Sequence, residues 1–147
     1  MRTNADIESG GATVEFLGVS LMLFIPILYL ILTLAQVQAA TYAAESAARE
    51  TVRTYSRASS DSQALNRAQR STVIIFGDHG LAISPQEALK VHCQLSPCTT
   101  PGGGIHAEVQ HRVDLPLLPE VFKGSPLTSI NVTGRAFATI DRFKDRP

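Results

Sequence analysis

The sequence predicts an α+β chain: a long N-terminal helix, transmembrane at first and then a stem, followed by a small helix and an antiparallel sheet of about three strands. Three observations carry this expectation. The run from Phe16 to Ala35 contains no charged side chain, and about 20 such residues span a bilayer core of roughly 30 Å. Alanines recur beyond it at helical spacing, Ala39, Ala43 and Ala47 on one line and Ala40, Ala44 and Ala48 on the next. In the C-terminal third the apolar residues alternate with polar ones at period two, the mark of strands with one face to bury.

The first element competes with two other readings. A cleaved secretory signal would use Arg2 as its basic region and Val37-Gln38-Ala39 as its cleavage site. However, the apolar run exceeds the usual 7 to 15 residues or so, acidic Asp6, Glu8 and Glu15 precede it, and the helical pattern continues past the cut. A buried soluble helix is seldom this long and apolar. Pro26 lacks a backbone donor and is expected to kink or loosen the membrane portion.

The stem continues to about Tyr55, so that a helix from Ala12 would reach on the order of 65 Å. Glu45 and Arg49 form a favourably oriented i, i+4 pair on it. The alanine lines suit close approach of another backbone, as in small-xxx-small contacts, or serve simply as good helix formers. Serine-rich residues 56–62 break the helix. Asp61 or Ser62 is expected to cap a second helix with Leu65, Ala68, Thr72, Val73 and Phe76 on its apolar face, ending at Gly77 or Gly80. Pro85 then opens a helical turn or an extended lead-in. Three strands follow, with Leu89, Val91, Cys93 and Leu95 inward on the first. Ile105, Ala107, Val109, His111 and Val113 face inward on the second, and Ile130, Val132, Ala136, Ala138 and Ile140 on a last run from Ile130 to Phe143. A helix packed on such a sheet meets the minimum for a stable small domain.

Composition bounds the function. Of 147 residues, about 90 to 110 remain outside a membrane segment, enough for one small domain. Thirteen basic residues balance thirteen acidic ones for a net charge of +0, so the chain lacks the overall basic footprint of nucleic-acid binders, and nucleic acid is not expected as a partner. Cys93 and Cys98 are the two cysteines, and their proximity suits a disulfide in an oxidising compartment. A zinc site from His92, Cys93, Cys98 and His106 is disfavoured because neighbouring strand residues point to opposite faces. Asp78-His79 has no nucleophile to complete a catalytic set. Asn131-Val132-Thr133 matches a glycosylation sequon but sits in an alternating strand. Leu115-Pro116-Leu117-Leu118-Pro119 reads as a strand exit over the core or an exposed contact patch. No catalytic residue, metal or cofactor is expected. Arg49 and Arg53 follow the membrane run where Arg2 alone precedes it, a count that favours a cytoplasmic C-terminus. The cysteine pair and the short N-terminal flank outweigh that count and point to the reverse orientation.

Glu15 stands against the apolar run, where a carboxylate costs about 2.5 to 3.5 kcal/mol if carried to the bilayer centre, so it is either an interfacial snorkelling residue or a functional one. Its context is Gly10-Gly11-Ala12-Thr13-Val14-Glu15-Phe16. This stretch resembles the processing site of type IV pilin-like proteins, and most closely the TadE-like minor pilins of the tight-adherence (Flp) system. Those share a G-x-x-x-x-E-F entrance to the membrane helix. The similarity extends through the alanine-rich stem and the later cysteine, proline and glycine segment, while the C-terminal domain is larger than in the shortest Flp pilins, which argues against a major subunit.

The resemblance implies a 1–10 leader removed by prepilin peptidase between Gly10 and Gly11, leaving Glu15 as fifth residue of the mature chain. A transmembrane and stem helix at 11–57 and a pilin-like extracytoplasmic head at 58–147 would follow. It implies assembly roles for Glu15 and Phe16, a cytoplasmic N-terminus, and as partners prepilin peptidase, other pilin-like subunits, the inner assembly machinery and membrane lipid. The alternative is an unprocessed single-pass anchor carrying an extracytoplasmic binding domain.

Overall fold

A computed structural model of the chain describes residues 8–115 and 128–143. In order it holds helix α1 (Glu8–Arg57), helix α2 (Asp61–Asp78), the single turn α3 (Pro85–Ala88), and strands β1 (Leu89–Cys93), β2 (Gly104–Asp114) and β3 (Ser129–Thr139). The expected α+β arrangement is therefore present. The chain divides into two compact units, Met1–Ala35 and Gln36–Pro147.

Among the described residues of the first unit, α1 is the sole element, and it runs through Pro26. From Gly11 to Ala35 no side chain is buried, although the segment is almost wholly apolar. One of its hydroxyls is satisfied inside the helix: Thr33 Oγ1 donates to the Tyr29 carbonyl at 2.9 Å, which removes an unpaired donor from an apolar setting.

The second unit is a two-layer structure. The remainder of α1 and all of α2 cover one face of an antiparallel sheet of order β1-β2-β3. β2 is central, pairing Leu89 with Val109 and Cys93 with Ile105 on one side, and Gly104 with Thr139 and Asp114 with Ser129 on the other. This register turns Ile105, Ala107, Val109 and Val113 inward together with Val132, Ala136 and Ala138, as period-two alternation predicts. The opposite face carries the row Lys90, Glu108 and Arg135, with Arg135 Nε donating to the Glu108 carboxylate at 3.2 Å. Hydrogen bonds from Gln110 and then Arg135 hold the Glu108 carboxyl below its usual range.

The stem alanines do more than favour helix. Ala40, Ala43, Ala44, Ala47 and Ala48 are 0–1% exposed, and where β3 crosses them the opposing residue is Gly134. A Cβ at Gly134 would overlap the main chain of Ala44 and Glu45, so small residues on both elements let sheet and helix backbones meet. The expected Glu45–Arg49 pair forms at 3.0 Å, exposed on the helix surface.

Five local expectations need correction. Ser60, not Asp61 or Ser62, caps α2, its side chain accepting from the Gln63 N–H. The buried face of α2 is Ala64, Ala68, Thr72 and Phe76, while Leu65 and Val73 are exposed; close packing on the alanine surface selects small side chains over larger apolar ones. Leu95 lies beyond the end of β1 and is exposed, because the chain leaves the sheet at the Cys93–Cys98 loop. The last strand stops at Thr139, with Phe143 90% exposed and Ile140 buried just outside it; Ile130, expected inward, is 40% exposed near the end of the β2–β3 ladder.

The stop of α2 has a clear cause. Gly80 has φ +69°, the Leu81 N–H donates to the Phe76 carbonyl, and the Gly80 N–H donates to the Gly77 carbonyl, each at 2.9 Å. This pair of bonds satisfies the last carbonyls of a helix and requires a left-handed residue that glycine adopts without strain. Leu81, the residue after it, packs on the same core as Phe76.

Candidate functional site

The residues singled out in the sequence lie in two places, one in each unit. Gly10, Gly11, Glu15 and Phe16 all fall on α1. Gly10 and Gly11 are the third and fourth described residues of α1, and a glycine weakens a helix by about 1 kcal/mol relative to alanine. Glu15 follows Gly11 at i+4, so the two share one face. Phe16 is 71% exposed and belongs to a series of uncovered large apolar residues that runs from Val14 to Leu34. By length and composition this is a helix able to cross a membrane.

The second place is the loop that leaves β1. Cys93 and Cys98 form a disulfide with Cα atoms 5.2 Å apart, within the normal span of such bridges. Both sulfurs are thereby consumed, and the zinc set of His92, Cys93, Cys98 and His106 is not formed. His92 and His106 instead lie opposite each other across β1 and β2. Asp61, considered in the sequence as a cap, has another role. Its carboxylate accepts from the Cys98 N–H at 2.9 Å and the Thr99 N–H at 3.1 Å, tying the loop to the first turn of α2. A negative charge there is also favoured by the helix dipole. Its neighbourhood pushes the Tyr55 hydroxyl up, chiefly through burial of the phenol and secondarily through the Asp61 charge. The spacing of residues along the chain gives no sign of this link, since 37 residues separate its partners.

A cleft of about 590 Å³ opens beside β2, lined among others by Glu87, His111 and Arg112. His111 packs its ring on Phe76 with centroids 5.0 Å apart. Burial lowers its pKa, against a smaller opposing pull from Asp114, so the imidazole is held toward its neutral form. Asp78 and His79 lie exposed at the end of α2, and neither lines that cleft. Among the described residues no three histidine, cysteine or carboxylate side chains gather as a metal site. Residues 116–119 of the apolar proline-broken segment, and residues 1–7 of the expected leader, lie outside the described residues.

No protein-family model, curated protein or solved structure matches the chain.

Proposed function

We propose that the chain is a non-enzymatic TadE-like minor pilin or pseudopilin that takes part in assembly of a tight-adherence (Flp) type IV pilus. The observation that carries the reading is the conjunction on α1. A diglycine first turn and Glu15-Phe16 stand at the mouth of a long apolar surface that the chain itself leaves uncovered. Prepilin peptidase cuts between Gly10 and Gly11, at a turn that opens at small cost because helix ends fray and glycine weakens them. The new amine on Gly11 is positive in a low-dielectric setting, and the Glu15 carboxylate compensates it within the subunit or from a neighbouring one. Phe16 and the residues after it meet lipid before assembly and other pilin-like helices after it. The N-terminus is cytoplasmic and the head extracytoplasmic, where the Cys93–Cys98 disulfide persists.

Amino-terminal sequencing of the protein from its native membrane tests this reading. The expected first residue is Gly11. An intact Met1 would sink the proposal in favour of an unprocessed anchored binding domain, and a start at Ala40 in favour of a secreted one.

A further inference from the structure

The end of α1 and the middle of α2 face each other across a cleft of about 350 Å³. Each helix contributes positions at i, i+3, i+4 and i+7, and the three-residue connection 58–60 turns the second helix back along the first. Two arginines from each helix, Arg53 and Arg57 with Arg67 and Arg70, therefore line one opening. Glu50 is the lone carboxylate there, 3.9 Å from Arg53. Arg57, Arg67 and Arg70 have no ion pair or side-chain hydrogen bond among the described residues, and all four guanidinium groups are exposed. A chain whose charges sum to +0 thus gathers a surplus of positive charge in one concave place, which concentrates an attractive field for anions.

We propose that this cleft binds a phosphate-bearing ligand. Arginine presents a planar fork that engages oxyanions two bonds at a time, and the cleft contains no lysine. Guanidinium groups arriving from two sides suit a tetrahedral phosphate with three terminal oxygens better than a flat carboxylate with two. Thr54 and Ser71 add half-buried hydroxyls between the arginines. Ile74, 63% exposed, gives one end an apolar wall, and the volume admits a small ester rather than a bare ion. Two sources supply that chemistry, a free phosphate ester and a phospholipid headgroup.

The test is calorimetric titration of the full chain, in uncharged detergent at low salt, with glycerol phosphate, with its dihexanoyl ester phosphatidic acid below its micelle concentration, and with succinate. Saturable binding of the phosphate probes is expected, with succinate at least about tenfold weaker. The pair Arg57→Gln and Arg70→Gln together should weaken phosphate binding at least about tenfold. Arg49→Gln, outside the cleft and paired with Glu45, should leave it unchanged. Arg67→Lys keeps the charge but removes the fork, and should weaken binding about threefold or more with the helical circular dichroism intact. Tighter binding of the dihexanoyl ester assigns the site to a lipid headgroup; equal binding assigns it to a free ester. No saturable binding up to about 10 mM, equal binding of succinate, or arginine variants that bind like the parent would overturn the proposal and leave a solvated helix surface with diffuse counterions.

Discussion

Replacing Gly134 by alanine probes the contact on which the second unit is built. The added methyl falls on the main chain of Ala44 and Glu45. Overpacking against side chains costs about 1 to 3 kcal/mol, but here the obstacle is helix backbone flanked by Ala43, Ala44, Ala47 and Ala48, all buried, and no rotamer relieves it. β3 must lift from α1, loosening the packing of Val132 and Ala136 beside it. Alanine in a strand recovers about 0.5 to 1 kcal/mol of backbone entropy relative to glycine, so the net loss is on the order of 3 kcal/mol, or a fall in Tm of roughly 10 to 20 °C for a unit of this size. The chain has no tryptophan, and Tyr55, 4% exposed, serves as the optical reporter during urea unfolding of the full chain in detergent. Gly77→Ala is the matched control: nothing lies within 4 Å of its added methyl, and it should gain about 0.5 to 1 kcal/mol through helix propensity. A Gly134→Ala protein as stable as the parent would refute the backbone-to-backbone contact.

Three further outcomes are expected. Glu15→Gln should yield a processed, membrane-resident protein that no longer crosslinks to pilin partners, since breaking a buried charge pair costs about 3 to 5 kcal/mol; undiminished association would return Glu15 to an interfacial role, and absent cleavage would make it a recognition residue for the peptidase. Thiol labelling without reductant of protein from intact cells should leave Cys93 and Cys98 unmodified, and free thiols at both would reverse the proposed orientation. Because folding lowers the His111 pKa from 6.5, the unfolded chain binds its proton first as the pH falls, and stability present above about 6.5 declines toward the folded value. His111→Phe, which keeps a ring beside Phe76, should remove that part of the acid sensitivity in urea midpoints measured across the range; an unchanged pH profile would show that other groups carry it.

Where one side of an element decides its fate, the sequence was readable. β2 alternates because a central strand under helices has one dry face, and residues 105–114 show that pattern, with buried Gly104 the one departure at its start. α2 was legible as a helix, and Ala68, Thr72 and Phe76 of its expected face are buried, but Leu65 and Val73 were misplaced because they outrank alanine in hydrophobicity while Ala64 packs in the core with the alanines of α1. Burial there is decided by shape. Leu95 continued the alternation of β1 on paper, yet the disulfide loop turns the chain away two residues earlier. The placement of Gly10, Gly11 and Glu15 on one helix was legible because their spacing is local. Asp61 as the anchor of the Cys98 and Thr99 amides was not, since that contact exists only after the sheet docks. The arginine cleft escaped for a different reason: a whole-chain balance of charges is blind to where the fold collects them.

The burial of the stem alanines has a consequence for how this protein can meet its neighbours. The sheet already occupies the small-residue side of α1 between Ala40 and Ala48, leaving Tyr42, Ser46, Arg49 and Arg53 facing outward. Besides the Tyr42 ring, that surface offers hydroxyl, carboxylate and guanidinium groups, whose charges are screened over about 8 Å at physiological salt. In the proposed assembly, contacts made by the apolar run 16–35 carry no such dependence. On that reading, ionic strength separates the two sets of contacts, loosening the charged one while the apolar one holds.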